Sequence, residues 1–116
     1  DWLAFSIDRI TELKGRRVFV NMTADWCLTC KVNERLVFSD AGVLSALKDR
    51  DVVLIKGDWT ERNEEITRFL DRYQRVGVPF YVFFSERYPD GLILPEIISV
   101  GTFKEQMELA FPRRPE

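Results

Sequence analysis

Three short apolar runs, Val18–Thr23, Val52–Ile55 and Phe80–Phe84, constrain the fold of this chain more than any other feature. The first two are rich in β-branched residues and nearly continuous in apolar character, which is the pattern of a strand covered on both faces. The third is aromatic and reads as a strand as well. Between the runs the period changes to that of a helix. Ser6 is placed to cap a short helix carrying Ile7, Ile10 and Leu13, with its end near Gly15. A helix from Cys27 is predicted with Leu28, Val32 and Leu36 as its apolar stripe, then a break and new cap at Ser39-Asp40 before Val43 to Leu47. Asp51 ends that piece. Asp58-Trp59-Thr60 leads into a helix from about Glu61 to Arg75 with Ile66, Phe69, Leu70 and Tyr73 on one side and Gly77 as its close. A turn at Pro89-Asp90-Gly91, a last strand near Ile97 to Val100 and a helix from Thr102 to Phe111 complete the series. Strand–helix–strand crossovers must be parallel and right-handed, so the order predicts an α/β fold of three layers, a mixed central sheet flanked by helices.

The length of 116 residues permits one domain, residues 1–116, with a radius of gyration of roughly 13 Å. Seventeen Lys and Arg against nineteen Asp and Glu give a net charge of −2, which removes the electrostatic basis for reading nucleic acid. The chain has no histidine, so Ser-His-Asp and Cys-His nucleophile pairs and His-ligated metals are excluded. No apolar run approaches the roughly 20 residues that cross a bilayer, and the opening Asp1-Trp2-Leu3-Ala4 does not resemble a signal peptide. The basic end, Pro112 to Glu116, is expected to fray or to lead out of the domain.

Both cysteines fall in Cys27-Leu28-Thr29-Cys30, where the first long strand gives way to a helix. Unpaired N–H groups and the helix dipole favour negative charge there, so Cys27 is the expected nucleophile. One helix turn brings Cys30 beside it to resolve a mixed disulfide. Three other readings compete. A structural disulfide closing so small a ring removes only about 2 kcal/mol of unfolded-state entropy, against about 3 kcal/mol for a 15-residue loop. A zinc site lacks two of its four ligands in this chain. Two inert buried thiols fit the apolar surroundings but make no use of the strand-to-helix turn.

The segment Thr23-Ala24-Asp25-Trp26-Cys27-Leu28-Thr29-Cys30-Lys31 with Glu34 resembles the active-site region of the C-terminal thioredoxin-like domain of DsbD-type thiol:disulfide interchange proteins, most nearly the ScsB branch. Phe38-Ser39-Asp40, Gly57-Asp58-Trp59-Thr60 and Gly77-Val78-Pro79 extend the resemblance over about Val18 to Val100. The resemblance implies a thioredoxin-like fold and a redox-active Cys27–Cys30 disulfide working with no bound cofactor and no metal. It implies a periplasmic domain at the soluble end of an inner-membrane protein. The electron donor would be the transmembrane domain of the same protein, and the acceptor another periplasmic thiol-disulfide domain or protein. It also implies that Val78-Pro79 is cis and lies against the cysteines, with the Val78 backbone free to pair with an incoming strand.

Asn21 departs from the pattern. The best-known members carry a buried Asp six residues before the first cysteine, where it handles the resolving thiol's proton. An amide cannot be a base, though it can hydrogen-bond a thiol or water beneath the site and so hold geometry. Glu34 is the leading substitute, because Cys27, Cys30 and Glu34 at i, i+3 and i+7 share one helix face, and a carboxylate near a thiol disfavours the thiolate. The competing reading of Glu34 is a solvated carboxylate paired with Lys31 or Arg35. Asp25 is either a turn residue or part of the site's field, and the field of Lys31 would favour the thiolate. Trp26 is expected to cover one side of the site, and Trp59 with Phe80-Tyr81 to pack in the core.

The expected function is two-electron relay by dithiol/disulfide exchange. Its rivals are a stand-alone reducing thioredoxin and a non-catalytic thioredoxin-like module that binds through Trp26 and Pro79.

Overall fold

The computed structural model describes residues 1–114 and contains the three layers expected. The elements in order are β1 (Leu3–Ala4), α1 (Ile7–Glu12), β2 (Val18–Thr23), α2 (Leu28–Asn33) continuing into a π-helical turn (Glu34–Phe38), α3 (Ala41–Asp49), β3 (Val53–Asp58), α4 (Glu64–Arg72), β4 (Phe80–Phe84), β5 (Leu92–Ile93) and α5 (Val100–Ala110). The sheet runs β1-β3-β2-β4-β5. Strand β2 is central and buried along all six residues, as its continuous apolar pattern required. It pairs in parallel with β3, from Val18↔Val53 to Thr23↔Asp58, and antiparallel with β4, from Val18↔Phe84 to Met22↔Phe80.

Alternation along β2 divides the core in two. Val18, Val20 and Met22 face a cluster holding Ile55, Trp59, Ile66, Phe69 and Leu70, closed by α1 and α4. Phe19 faces the other cluster, with Val37, Phe38, Val43, Leu47, Tyr81, Phe83 and Phe103, closed by α3 and α5. Phe19 sits edge-on to Phe38, Phe83 and Phe103 at centroid separations of 5.2 to 5.3 Å. Asn21 and Thr23 share its side of the sheet, beneath α2.

Every helix opens on a side chain accepting from the amide three residues on: Ser6, Cys27, Asp40, Asn63 and Ser99. A sulfur therefore occupies in α2 the seat that hydroxyl, carboxylate or amide oxygen takes elsewhere.

Several expected boundaries move. The final strand is Leu92–Ile93, not Ile97–Val100, because Leu92 and Ile93 pair with Phe83 and Val82, Pro95 has no N–H to extend the ladder, and the Ser99 cap draws Val100 into α5. The second strand runs on to Asp58, since the register with β2 continues to Thr23. Helix α4 starts at Glu64 because Asn63, not Thr60, caps it. Gln74, with φ 58°, takes the left-handed position after α4 that Gly77 was expected to fill. Strand β1, absent from the sequence reading, adds Leu3 and Ala4 opposite Ile55 and Lys56. The start of the basic end is held: Arg17 donates to the Pro112 carbonyl at 3.0 Å and Arg114 pairs with Asp51 at 3.3 Å. Pro115 and Glu116 lie outside the described residues.

The stripe Leu28, Val32 and Leu36 is the largest correction. The three are 76%, 45% and 61% exposed, while Cys30, Asn33, Val37 and Phe38 form the buried side. The row that faces the sheet contains a cysteine and an asparagine, so an apolar-periodicity reading selects the wrong row.

Candidate redox site

Strand β2 ends at Thr23, and Ala24, Asp25 and Trp26 turn the chain so that Cys27 becomes the N-cap of α2. Cys27 and Cys30 are joined by a disulfide across 5.3 Å between Cα atoms. The Cys30 backbone N–H donates to Cys27 Sγ at 3.2 Å. This hydrogen bond and the positive end of the helix both stabilise charge on Cys27 when the bridge opens. The two residues differ in access. Cys27 keeps 7% of its surface and Cys30 none. Of the two, Cys27 is the residue with surface open to a visiting sulfur, and Cys30 is closed to it.

The walls of the pair are Ala24 and Val78. The Val78-Pro79 peptide is cis, and Val78 packs against the cysteines. Neither the amide nor the carbonyl of Val78 hydrogen-bonds another backbone or side-chain group among the described residues. Arg75 pairs with Glu96 at 3.1 Å, linking the approach to this segment to the loop after β5. Asn33 reaches the same loop from α2 by donating to the Glu96 carbonyl at 2.7 Å and to the Tyr81 hydroxyl at 2.9 Å. Burial pushes the Tyr81 phenol up to about 12, with the Asn33 hydrogen bond acting in the opposite direction.

Glu34 lies on the sheet side of the site but pairs with neither Lys31 nor Arg35. Its partner is Lys56 of β3, at 3.3 Å from Oε1, while Oε2 accepts from Thr23 Oγ1 at 3.5 Å. A helix neighbour lost to a strand neighbour because Lys31 and Arg35 project outward from the helix row that Glu34 leaves. Asn21 is 2% exposed, and its Oδ1 has no hydrogen-bond partner among the described residues.

Trp26 and Asp25 are both tied to the loop after β3. The Asp25 amide donates to Thr60 Oγ1 and the Trp26 indole to the Thr60 carbonyl, each at 2.9 Å. Thr60 in turn donates to Asp58 through its amide at 3.0 Å and through its hydroxyl. These two bonds hold the Asp58 carboxyl below the usual carboxylate range. The half-exposed Trp26 ring packs against Trp59 at 6.0 Å and under the Arg62 guanidinium at 4.7 Å. The Asp25 carboxylate makes no ion pair among the described residues. Thr60 is the site residue that the sequence reading passed over, although it stands inside the quoted Gly57-Asp58-Trp59-Thr60 segment. No group of three or more possible metal ligands occurs among the described residues.

A thioredoxin-like family model matches residues 9–85. The thiol:disulfide interchange protein DsbD of Ralstonia nicotianae is 41% identical over 77 residues, covering 66% of this chain and 12% of that protein. Its counterpart DsbD 1 of Pseudomonas aeruginosa is 36% identical over 90 residues, 75% of this chain and 15% of its own length. The chain thus spans less than a sixth of these relatives. Among solved structures, the oxidised C-terminal domain of DsbD from Neisseria meningitidis superposes with a TM-score of 0.71 at 22% identity, over 93% of this chain and 99% of that one. A thioredoxin from Thermus thermophilus gives 0.69 at 19% identity, over 91% and 84%.

Proposed function

Because the chain belongs to the thioredoxin-like family, we propose that it is a thiol:disulfide oxidoreductase domain whose two electrons are carried by Cys27 and Cys30 alone, with no bound cofactor or metal. The observation that carries this reading is the asymmetry of the pair: a slightly exposed cysteine at a helix N-cap, bonded to a sealed one that donates its amide back.

In one half-cycle a donor thiolate attacks Cys27 Sγ and Cys30 leaves as thiolate. A second donor thiol then displaces Cys27, so the donor becomes a disulfide and the pair holds two electrons, with two protons taken up. In the other half-cycle the Cys27 thiolate attacks an acceptor disulfide, and Cys30 attacks Cys27 Sγ to release the acceptor as a dithiol. The free Val78 backbone supports strand-like pairing with the segment that carries the partner's sulfur. Glu34, Asn21, Asp25 and Trp26 would act on the pair through field and packing and not by bonding to sulfur.

The resemblance to DsbD supports a finer assignment. This domain would be the C-terminal, periplasmic part of an inner-membrane protein of the DsbD/ScsB type, drawing electrons from the transmembrane cysteine pair and passing them to a periplasmic thiol-disulfide domain or protein.

Redox titration of the pair against glutathione and dithiothreitol tests the chemistry. A two-electron transition is expected, turnover is lost in Cys27→Ser, and Cys30→Ser accumulates a mixed disulfide through Cys27. A Cys27→Ser protein that keeps turning over disulfides would overturn the reading. Retained partner affinity without any turnover in the native protein would favour the binding module instead. Trapping with Cys30→Ser in periplasmic extract tests the finer assignment, which predicts capture of the transmembrane donor or a periplasmic thiol carrier.

A further inference from the structure

The outward row of α2 and its π-helical continuation is unlike the surface of the other helices. Leu28, Val32 and Leu36 stand at i, i+4 and i+8, all exposed, and Lys31 and Arg35 stand between them, also exposed. The row is about 12 Å long. Neither the Lys31 nor the Arg35 side chain has an ion-pair or hydrogen-bond partner among the described residues, while the one carboxylate of the segment, Glu34, is turned to Lys56. An apolar stripe lined by two free cations thus begins at the residue next to the reactive sulfur.

We propose that this row is a docking strip for the protein partner, and that the partner segment it fits is apolar and acidic, with aliphatic side chains between carboxylates. The inference rests on the redox reading above, because thiol exchange already requires a partner to bring its sulfur to Cys27. A segment continuing from that sulfur along α2 lies over Leu28, Val32 and Leu36 and presents its carboxylates to Lys31 and Arg35. Charge complementarity selects the partner's sign, and the aliphatic row supplies contact area. A lipid surface is the weaker occupant. Two cations at about 1 kcal/mol each near anionic lipid are a small attraction for a chain of net charge −2.

The test uses the dithiothreitol-reduced protein and two synthetic peptides, each with one cysteine activated as a 2-thiopyridyl disulfide. One peptide flanks the cysteine with leucine and glutamate, and the other has lysine at each glutamate position. Reaction of the pair breaks the reagent's disulfide, forms Cys27–Cys30 and releases peptide thiol and thiopyridone, which is followed by absorbance in a single turnover. The acidic peptide is expected to react about tenfold faster than the basic one. Val32→Ser/Leu36→Ser should slow both peptides, and Lys31→Glu/Arg35→Glu should invert the preference. High salt should shrink it. The neutral small disulfide 2,2′-dithiodipyridine gives the intrinsic reactivity of each variant's cysteine pair, and each peptide rate is divided by it so that a change in thiolate reactivity is not read as docking.

Equal rates with the two peptides, unchanged in the variants, would overturn the strip while leaving the redox reading intact. Equal peptide rates, with binding to phosphatidylglycerol–phosphatidylcholine vesicles that is lost in Val32→Ser/Leu36→Ser, would overturn it in favour of a lipid surface. If dithiodipyridine fails to react, the redox reading falls. Fluorescence anisotropy with the acidic peptide carrying serine for cysteine then decides the strip alone: binding weakened about tenfold in Val32→Ser/Leu36→Ser supports it, and no difference overturns it.

Discussion

Lys56 Nζ stands 3.3 Å from Oε1 of Glu34, so the carboxylate nearest in sequence to the cysteine pair on its helix face is neutralised from the neighbouring strand. Asn21, the residue paired with Lys56 across β2 and β3, carries no charge to compete for that ammonium. The site therefore holds one carboxylate and one ammonium on the sheet side of α2, and both partly face solvent.

Removing the ammonium should leave the carboxylate field acting on the pair. Lys56→Met is expected to raise the pH at which reduced Cys27 becomes half-reactive toward iodoacetamide, by about 0.3 pH unit for a partly exposed pair. Glu34→Gln should lower it. Stability should fall by less than about 1 kcal/mol in either variant. Identical pH profiles for all three proteins would show that this ion pair does not act on the sulfurs.

Thr60→Val should loosen the latch between the two loops. The Asp25 amide loses its acceptor and Asp58 loses the hydroxyl bond, at a cost of about 1 kcal/mol in urea unfolding. The stabilisation tied to the lowered Asp58 pKa is present above the ordinary carboxylate range and is lost as pH falls through the folded value. In Thr60→Val that acid-side slope should flatten. An unchanged acid profile would remove Thr60 as its cause.

Tyr81 governs the alkaline side. Its folded phenol titrates at about 12 and the unfolded one near 10, so its contribution is complete below about pH 10 and disappears as pH rises through the folded value. Stability should decline by roughly 2 kcal/mol across that window. Tyr81→Phe should remove most of the decline, with a remainder from Tyr73, whose phenol is also pushed up by burial. Denaturant unfolding repeated from pH 8 to pH 11.5 makes the comparison.

Gly91→Ala tests the far end of the sheet. Gly91 has φ +104°, and a Cβ there would lie 2.5 Å from Val82 Cγ2. Strain and overlap together should cost roughly 1–3 kcal/mol. The β4–β5 turn lies at the opposite end of β2 from the cysteines, so the reduced variant should react with dithiodipyridine at the native rate. A slowed reaction would show that the turn and the site are coupled.

The sheet was legible in the sequence wherever burial was complete. Val18–Thr23 and Phe80–Phe84 are strands to the residue because β-branched and aromatic side chains dominate both runs, and the one amide, Asn21, does not break the pattern. The caps were legible at Ser6, the single acceptor before its periodic stretch, and at Ser39-Asp40, of which Asp40 is the one that caps. Asn63 was not, because Thr60 offers an equally good acceptor three residues earlier, and that hydroxyl is engaged by Asp25 and Asp58. The outward row of α2 was misread because Cys30 and Asn33, the residues that actually face the sheet, count as polar or neutral in any apolar tally. Asn33 is buried so that it can hold Tyr81 and Glu96, a tertiary demand with no local signature. The cysteine pair itself needed only its position at the end of a buried strand. The partner of Glu34 could not be read, since Lys56 approaches it only through the pairing of β2 with β3.

Both margins of the sheet are two residues long, Leu3–Ala4 on one side and Leu92–Ile93 on the other. Rows that short give a second molecule of the same protein almost no ladder on which to stack, a safeguard against self-association in concentrated solution. The unclaimed main-chain groups of Val78 lie away from either margin, beside the sulfurs. On the proposed reading a foreign strand would pair beside the sulfurs, while the margins of the sheet offer a copy of the protein only two residues each.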